Sequence, residues 1–236
     1  MSKALLITKK ELKSFFNSLS AYIIIVIFLL ITGWFFSNTL FLRNQANMRI
    51  LFDLIPIFFI PFIPAITMGF ISKEKNSGTI ELLTTFPINS KDIVIGKFLT
   101  SLALIAITLS FTVINLITIA LLGNVDFGPV IGGYIGLLFL GAAYSAIGVF
   151  GSSLTDNQIA SFIISLGIIF FLFMLDKVTM FVPDFLAGIF NYLSIDYHFN
   201  NITKGVIDTR DIIYFLSIIV LFLTLTTHIV ESRKWK

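Results

Sequence analysis

The 236-residue chain contains no cysteine, which removes disulfide bonds, thiol catalysis and cysteine-ligated metal centres in one step. Histidine is almost as scarce. His198 and His228 are the only two, and they fall in different predicted surroundings without a companion ligand at helical spacing, whereas a metal site assembles several convergent donors. Charged residues make up only 12% of the chain and are scarce inside its apolar stretches, with Asp53 near one end of the second, so the chain offers no convincing relay of titrating groups of the kind ion-coupled carriers use. A P-loop needs a glycine-rich turn ending in Gly-Lys-Ser/Thr, so that backbone amides and the lysine hold the phosphates. The only lysine followed by a hydroxyl residue is Lys13, before Ser14, and no glycine precedes it. The chain is therefore expected to hold no nucleotide, metal or other cofactor, and Ser/His/Asp or paired-carboxylate catalysis is not suggested.

What the chain has instead is apolar length. Hydrophobic residues account for 57% of it and 27 residues are phenylalanine, a composition suited to lipid rather than water as solvent. About 20 apolar residues cross a hydrocarbon core as a helix, and six such stretches are predicted, at 21–42, 51–71, 98–122, 130–154, 158–175 and 212–229. Barrel strands would alternate apolar and polar residues, but 22–31 and 166–175 are nearly continuously apolar. Orientation follows from the basic residues. Lys3, Lys9, Lys10 and Lys13 precede the first stretch, Lys73, Lys75, Lys91 and Lys97 follow the second, and Arg233, Lys234 and Lys236 follow the sixth; only Arg43, Arg49, Lys177, Lys204 and Arg210 fall on the other side. The positive-inside bias then places both termini and residues 73–97 in the cytosol. The same bias accounts for the net charge of +3, so no nucleic-acid partner is inferred. The basic start leads into a full-length span without a cleavage pattern, and is expected to stay attached.

Residues 1–20 are expected to form a helix. Leu5, Leu12, Phe15, Phe16 and Leu19 fall on one side of its wheel and Lys3, Lys10, Ser14 and Asn17 on the other, which suits a helix lying in the cytosolic interface or a plain basic flank that fixes topology. Pro56, Pro61 and Pro64 in the second stretch each remove an amide donor and predict a kinked or broken helix, either for packing or as a bend that moves. In the fourth, Gly132 with Gly136, Gly141 with Ser145, Ala142 with Ala146 and Gly148 with Ser152 repeat the small-xxx-small spacing that lets backbones approach, predicting a densely packed central helix. Asn115 is the clearest polar side chain near mid-membrane, placed for an interhelical hydrogen bond or a substrate contact.

The polar island at 73–97 interrupts this apolar sequence. Gly78 allows a turn, Thr79 can cap a short helix with Glu81 in its first turn, and Pro87 closes it. Ile80 with Leu83 and Leu82 with Phe86 would form an apolar face suited to a partner's groove, with Glu81 on the rim; a solvated loop resting on the membrane fits equally. Ser90 can cap the helix that rises through Lys97.

The run Glu74-Lys75-Asn76-Ser77-Gly78-Thr79-Ile80-Glu81-Leu82-Leu83, followed by Pro87 and by Ile95-Gly96-Lys97, resembles the cytosolic signature of ABC-2 type permeases. Pro64-Ala65-Ile66-Thr67-Met68, the run from Gly132 to Phe139, Ser152-Ser153-Leu154-Thr155-Asp156-Asn157-Gln158 and the blocks from Asp196 to Asp211 are similar to the gliding-motility-associated branch of that family in Bacteroidetes-type bacteria. The resemblance implies an all-α membrane protein with the ABC-2 (type V-like) permease fold: an interfacial helix over 1–20, then a six-helix domain over 21–236 with a cytosolic coupling segment at 73–97 and a periplasmic segment at 176–211. It implies that Glu74, Gly78, Thr79, Ile80, Glu81, Leu82, Leu83, Phe86 and Pro87 form the contact with ABC ATPase subunits, which would bind the ATP and Mg that this chain does not. It further implies a second permease-like subunit, an auxiliary membrane protein with a large periplasmic domain, and residence in a bacterial inner membrane. The chain departs from the family where a charged residue often follows the Pro-Ala-Ile-Thr-Met run and Gly69-Phe70-Ile71-Ser72 stands instead. Two other classes stay open on the residues alone: a non-transporting scaffold whose ATPase works on periplasmic proteins, and a secondary carrier, which lacks both its relay and an inverted repeat.

Overall fold

The computed structural model describes residues 2–43, 47–79, 89–122, 125–205 and 208–232. Among these the chain forms α1 (Lys3–Phe16), α2 (Leu19–Arg43), α3 (Arg49–Thr67), α4 (Ser72–Asn76), α5 (Ser90–Leu122), α6 (Phe127–Leu154), α7 (Gln158–Val178), a 3-10 turn (Thr179–Phe181), α8 (Asp184–Leu193), α9 (Ile195–Thr203) and α10 (Thr209–Ser232), with no strand. Among the described residues six stretches are long and apolar enough to cross a membrane: Ala21–Phe41, Arg49–Asn76, Ser90–Leu122, Phe127–Leu154, Gln158–Phe181 and Thr209–Ser232, spans 1 to 6 in order.

Span 4 is the hub. In its most apolar window 72% of residues are buried, against 17% to 33% for spans 1, 3, 5 and 6. Spans 2, 3, 5 and 6 and α9 all pack on it. The small-residue stripe makes this possible. A Cβ at Gly133 would lie 2.4 Å from the Phe52 ring and one at Gly148 would lie 2.1 Å from Thr67 Oγ1, so span 2 approaches to a distance that only glycine permits. The resulting core joins Phe52, Ile55, Phe59 and Ile63 of span 2 to Leu137, Leu140, Ala143 and Ile147 of span 4, with Phe199 and Phe215 from α9 and span 6. Two hydrogen bonds tie spans 3 and 4 within this core, Ser101 to Ser145 at 2.8 Å and Thr112 to Tyr134 at 3.1 Å. Asn115 is half-buried and plays no part in them. Large apolar side chains such as Leu30, Trp34, Leu121 and Ile163 point outward, as a lipid-facing surface requires.

The helix starts follow local chemistry. Asp126 accepts from Gly128 N at the start of α6, and Asn157 accepts from Ile159 N at the start of α7, each satisfying an amide that has no intrahelical partner. Ser90, expected as a cap, is already the first helical residue of α5. The Asp92 and Ile93 amides turn back to Asn89 O instead. Span 3 thus begins eight residues before the apolar stretch predicted at 98, because α1 packs along the polar turns and holds them helical. The side of α1 that faces α5 is small and partly polar: Ala4 and Thr8 are buried while Leu5 and Leu6 stay about half exposed. Gly96 sets this choice, since a Cβ there would lie 2.8 Å from Ile7 and 3.0 Å from Ala4 O.

Helix α3 runs through Pro56, Pro61 and Pro64 without interruption; the break in span 2 falls later, between Thr67 and Ser72. Around it Phe70, Ile71, Val94, Val149 and Val230 form a second apolar cluster with Leu12, Phe15 and Phe16 of α1. Both ends of the described chain and the two edges of the island therefore meet at one end of the bundle, the island end. Helices α8 and α9 cover the opposite, distal end.

Candidate functional site

The break in span 2 exposes backbone groups that a buried site cannot leave unpaired. Met68 N still bonds Pro64 O at 2.8 Å and Phe70 N bonds Thr67 O at 3.0 Å, but the helix does not resume until Lys75 N meets Ile71 O. Ser152 of span 4 fills the gap. Its Oγ accepts from Ile71 N and Ser72 N, both at 3.0 Å, and donates to Met68 O at 2.8 Å. One donor and two lone pairs are all a hydroxyl has, so Ser152 is fully used. Ser72 Oγ donates to the same Met68 carbonyl, and Lys75 Nζ donates to Ser153 O at the end of span 4.

Another carbonyl of the break, Phe70 O, is held by Lys97. Lys97 is 1% exposed. Its Nζ also donates to Glu74 Oε1 at 2.8 Å and lies 3.7 Å from Glu11 Oε1. One ammonium thereby faces acceptors on α1, on the break and on α4 while standing on α5. Thr8 Oγ1 adds a bond to Gly96 O at 3.1 Å, one residue from Lys97. The second Glu74 oxygen is buried without a hydrogen-bond partner among the described residues.

Among the described residues no group of three or more His, Asp or Glu side chains is placed to hold a metal. Residues 5–235 match the profile of the ABC-2 family transporter proteins. The chain belongs to the ABC-2 transporter family. No curated protein matches it. Family membership makes this chain a transmembrane component of an ABC transporter, partnered by ABC ATPase subunits in a membrane.

In this ABC-2 chain the residues expected at the ATPase contact divide into two groups. Glu74 points inward to Lys97, with 18% of its side chain exposed. Gly78 is exposed at φ +67°, the left-handed turn that glycine suits. Thr79 Oγ1 donates back to Glu74 O at 3.3 Å. Ile80, Glu81, Leu82, Leu83, Phe86 and Pro87 lie outside the described residues. Of the three prolines, Pro56 and Pro64 are buried in the span 2 core, while Pro61 borders an apolar groove of about 320 Å³ shared with Phe28, Phe58 and Phe162. Ser152, Lys97 and Glu11 were not among the expected site residues. Both stand in runs that resemble the family, but their roles are faint in the sequence: Ser152 reads as one more small residue of the stripe, and Lys97 as a topology-setting lysine with no partner indicated.

The distal end of the permease carries a second polar assembly. Lys177 bridges Asp176 at 2.8 Å and Asp196 at 2.7 Å, and Asn200 donates to Asp196 at 3.1 Å. Burial raises the Asp196 carboxyl above its ordinary pKa, with Lys177 opposing the rise. His198, buried, pairs with Asp211 at 2.6 Å, meets Tyr192 O at 3.0 Å and stacks on Tyr214 with ring centroids 3.9 Å apart. This assembly clamps α8 and α9 to the start of span 6. Nearby, a pocket of about 360 Å³ is lined by Arg49, Asp126 and Lys204 over Phe52 and Ile119.

Proposed function

We propose that this chain is the permease subunit of an ATP-driven ABC-2 exporter of the gliding-motility-associated branch. It sits in a bacterial inner membrane with both termini cytosolic. Residues 73–97 couple it to a separate ATPase that binds ATP and Mg, and a second permease-like subunit and an auxiliary protein with a large periplasmic domain complete the assembly. The observation that carries the proposal is the braced exit of span 2. The segment bearing Ile80, Glu81, Leu82, Leu83 and Phe86 is rooted at both edges, through α4 and α5, in bonds to spans 3 and 4. A push on it is therefore delivered to the centre of the bundle. The short helix expected over 79–87 offers apolar anchors to a groove in the ATPase, with Glu81 at its rim. Closure of two ATPase subunits on ATP would rock the helices and open a path between permease subunits.

Gentle-detergent purification of the tagged chain from its native membrane, with mass spectrometry of bound proteins, tests this assembly. The native chain should bring down an ABC ATPase and a membrane protein with a large periplasmic domain. Leu82→Asp should insert normally yet lose at least about 90% of the ATPase, in keeping with the more than 2 kcal/mol carried by an interface anchor, and Glu81→Lys, at the rim, should weaken recovery less. A native chain recovered alone, even after crosslinking through its island lysines, would overturn the proposal.

A further inference from the structure

We infer that Lys97 is a positioning residue of the transport cycle: it locks α4, span 3 and α1 into one body, so that a displacement of α4 carries span 3 and the N-terminal helix with it. The inference rests on the proposed coupling through residues 73–97, and it concerns how motion leaves that segment, not which protein supplies it.

A lysine near the end of a span ordinarily extends along the helix to reach water. Lys97 does the opposite. It is 1% exposed, and its ammonium turns into the bundle toward Phe70 O at the break in span 2. Burying a charge is costly unless it is paired and hydrogen-bonded, and here the hydrogen bonds go to Phe70 O and Glu74 at the end of span 2 while a longer ion pair reaches Glu11 on α1. Stability alone would be served as well by apolar side chains at both Lys97 and Glu74, because well-packed hydrophobic replacements of whole buried ion pairs are often neutral or stabilising. What the charge adds is direction: it fixes which groups of α1, α4 and α5 face one another. Helix α4 has only five residues and cannot keep its orientation by its own hydrogen bonds. Ser152 and Lys75 hold it to span 4; Lys97 holds it to span 3.

The absence of native cysteine permits a direct test in the complete complex reconstituted in lipid. Spin labels are placed at Ser14→Cys on α1 and Ser77→Cys at the end of α4, both exposed positions, and their distance distribution is measured by pulsed electron spin resonance with and without a non-hydrolysable ATP analogue. The parent should give one narrow distance that the nucleotide does not change. Lys97→Met should at least double the width and make the mean distance nucleotide-dependent. Glu74→Gln, nearly isosteric and safe for folding, should do the same to a smaller extent. The double variant should be no broader than Lys97→Met, because one lock is removed only once. Purely structural loosening would instead broaden the double variant beyond either single one. A Lys97→Met distribution as narrow as the parent's, or widths that add in the double variant, would overturn the inference. Recovery of the ATPase with the labelled chain is scored separately, so a failure of the coupling proposal shows as a missing ATPase while the nucleotide-free widths still decide for or against the lock.

Discussion

Replacing Gly148 with alanine inserts one methyl group into the tight crossing of spans 2 and 4. The added carbon would sit 2.1 Å from Thr67 Oγ1, 2.9 Å from its Cβ and 3.2 Å from its Cγ2. Thr67 has little room to yield. It is fully buried, its hydroxyl donates to Ile63 O at 2.9 Å, and β-branching restricts its rotamers on a helix. Relief requires either that the helices part, an overpacking cost of about 1–3 kcal/mol, or that the Thr67 bond breaks, at about 0.5–1.5 kcal/mol. Alanine returns about 0.8–1.0 kcal/mol of helix propensity relative to glycine. The net expectation is a loss of up to about 2 kcal/mol. Gly167 on span 5 supplies the control, because a Cβ there meets nothing within 4 Å; Gly167→Ala should be neutral or gain up to about 1 kcal/mol. Unfolding of the purified proteins in one detergent, followed by circular dichroism, measures both. Adding Thr67→Ala to Gly148→Ala removes Oγ1 and Cγ2 and should recover about 1 kcal/mol as a coupling between the two sites. Equal stability of Gly148→Ala and Gly167→Ala would refute this account of the hub.

Ser152→Ala leaves the Ile71 and Ser72 amides without their acceptor, at about 1–3 kcal/mol for each orphaned group. Hydrogen exchange at those two amides should accelerate well beyond that of the α3 core, and unchanged exchange would show that another group satisfies the break. Asp196 tests the distal assembly through pH. Its carboxyl is raised above the ordinary value of 3.8 by burial, so the folded chain holds that proton more tightly than the unfolded chain does. The stability this gives is complete below 3.8 and is lost as pH rises through the raised folded value. Asp196→Asn should flatten that stretch of the stability curve, and a curve parallel to the parent's in acid melts would contradict the burial.

The six spans were legible because crossing a membrane needs about 20 apolar residues, a signal that survives any tertiary arrangement. The stripe from Gly132 to Ser152 was legible as a close-packing helix for the same local reason, though not which neighbour met each glycine. The break in span 2 was not. Three prolines drew the expected distortion to 56–64, yet α3 accommodates all of them, and the helix parts at 68–71, where Ser152 supplies bonds from about 80 residues away in the sequence. Lys97 was hidden in the same manner: nothing nearby in the sequence tells a lysine that sets topology from one that faces Glu11 and Glu74. His198 lay in plain view but its partner Asp211 follows 13 residues later, past a turn at Gly205 with φ +86°. The early start of α5 depended on α1 lying against Gly96, a contact invisible to hydropathy.

The hub is made fourth. Span 2 packs extensively on span 4 and only marginally on span 3, so while the ribosome is still adding the first half of the chain, Phe52 and Thr67 have no Gly133 or Gly148 to receive them and the break at 68–71 has no Ser152. Domains assemble as synthesis proceeds from the N-terminus, and here span 2 can pack chiefly on span 1, and α1 on span 3, before the hub arrives. Commitment to the native arrangement comes when residues 127–154 arrive. Until the fourth insertion the Ile71 and Ser72 amides must find acceptors other than Ser152.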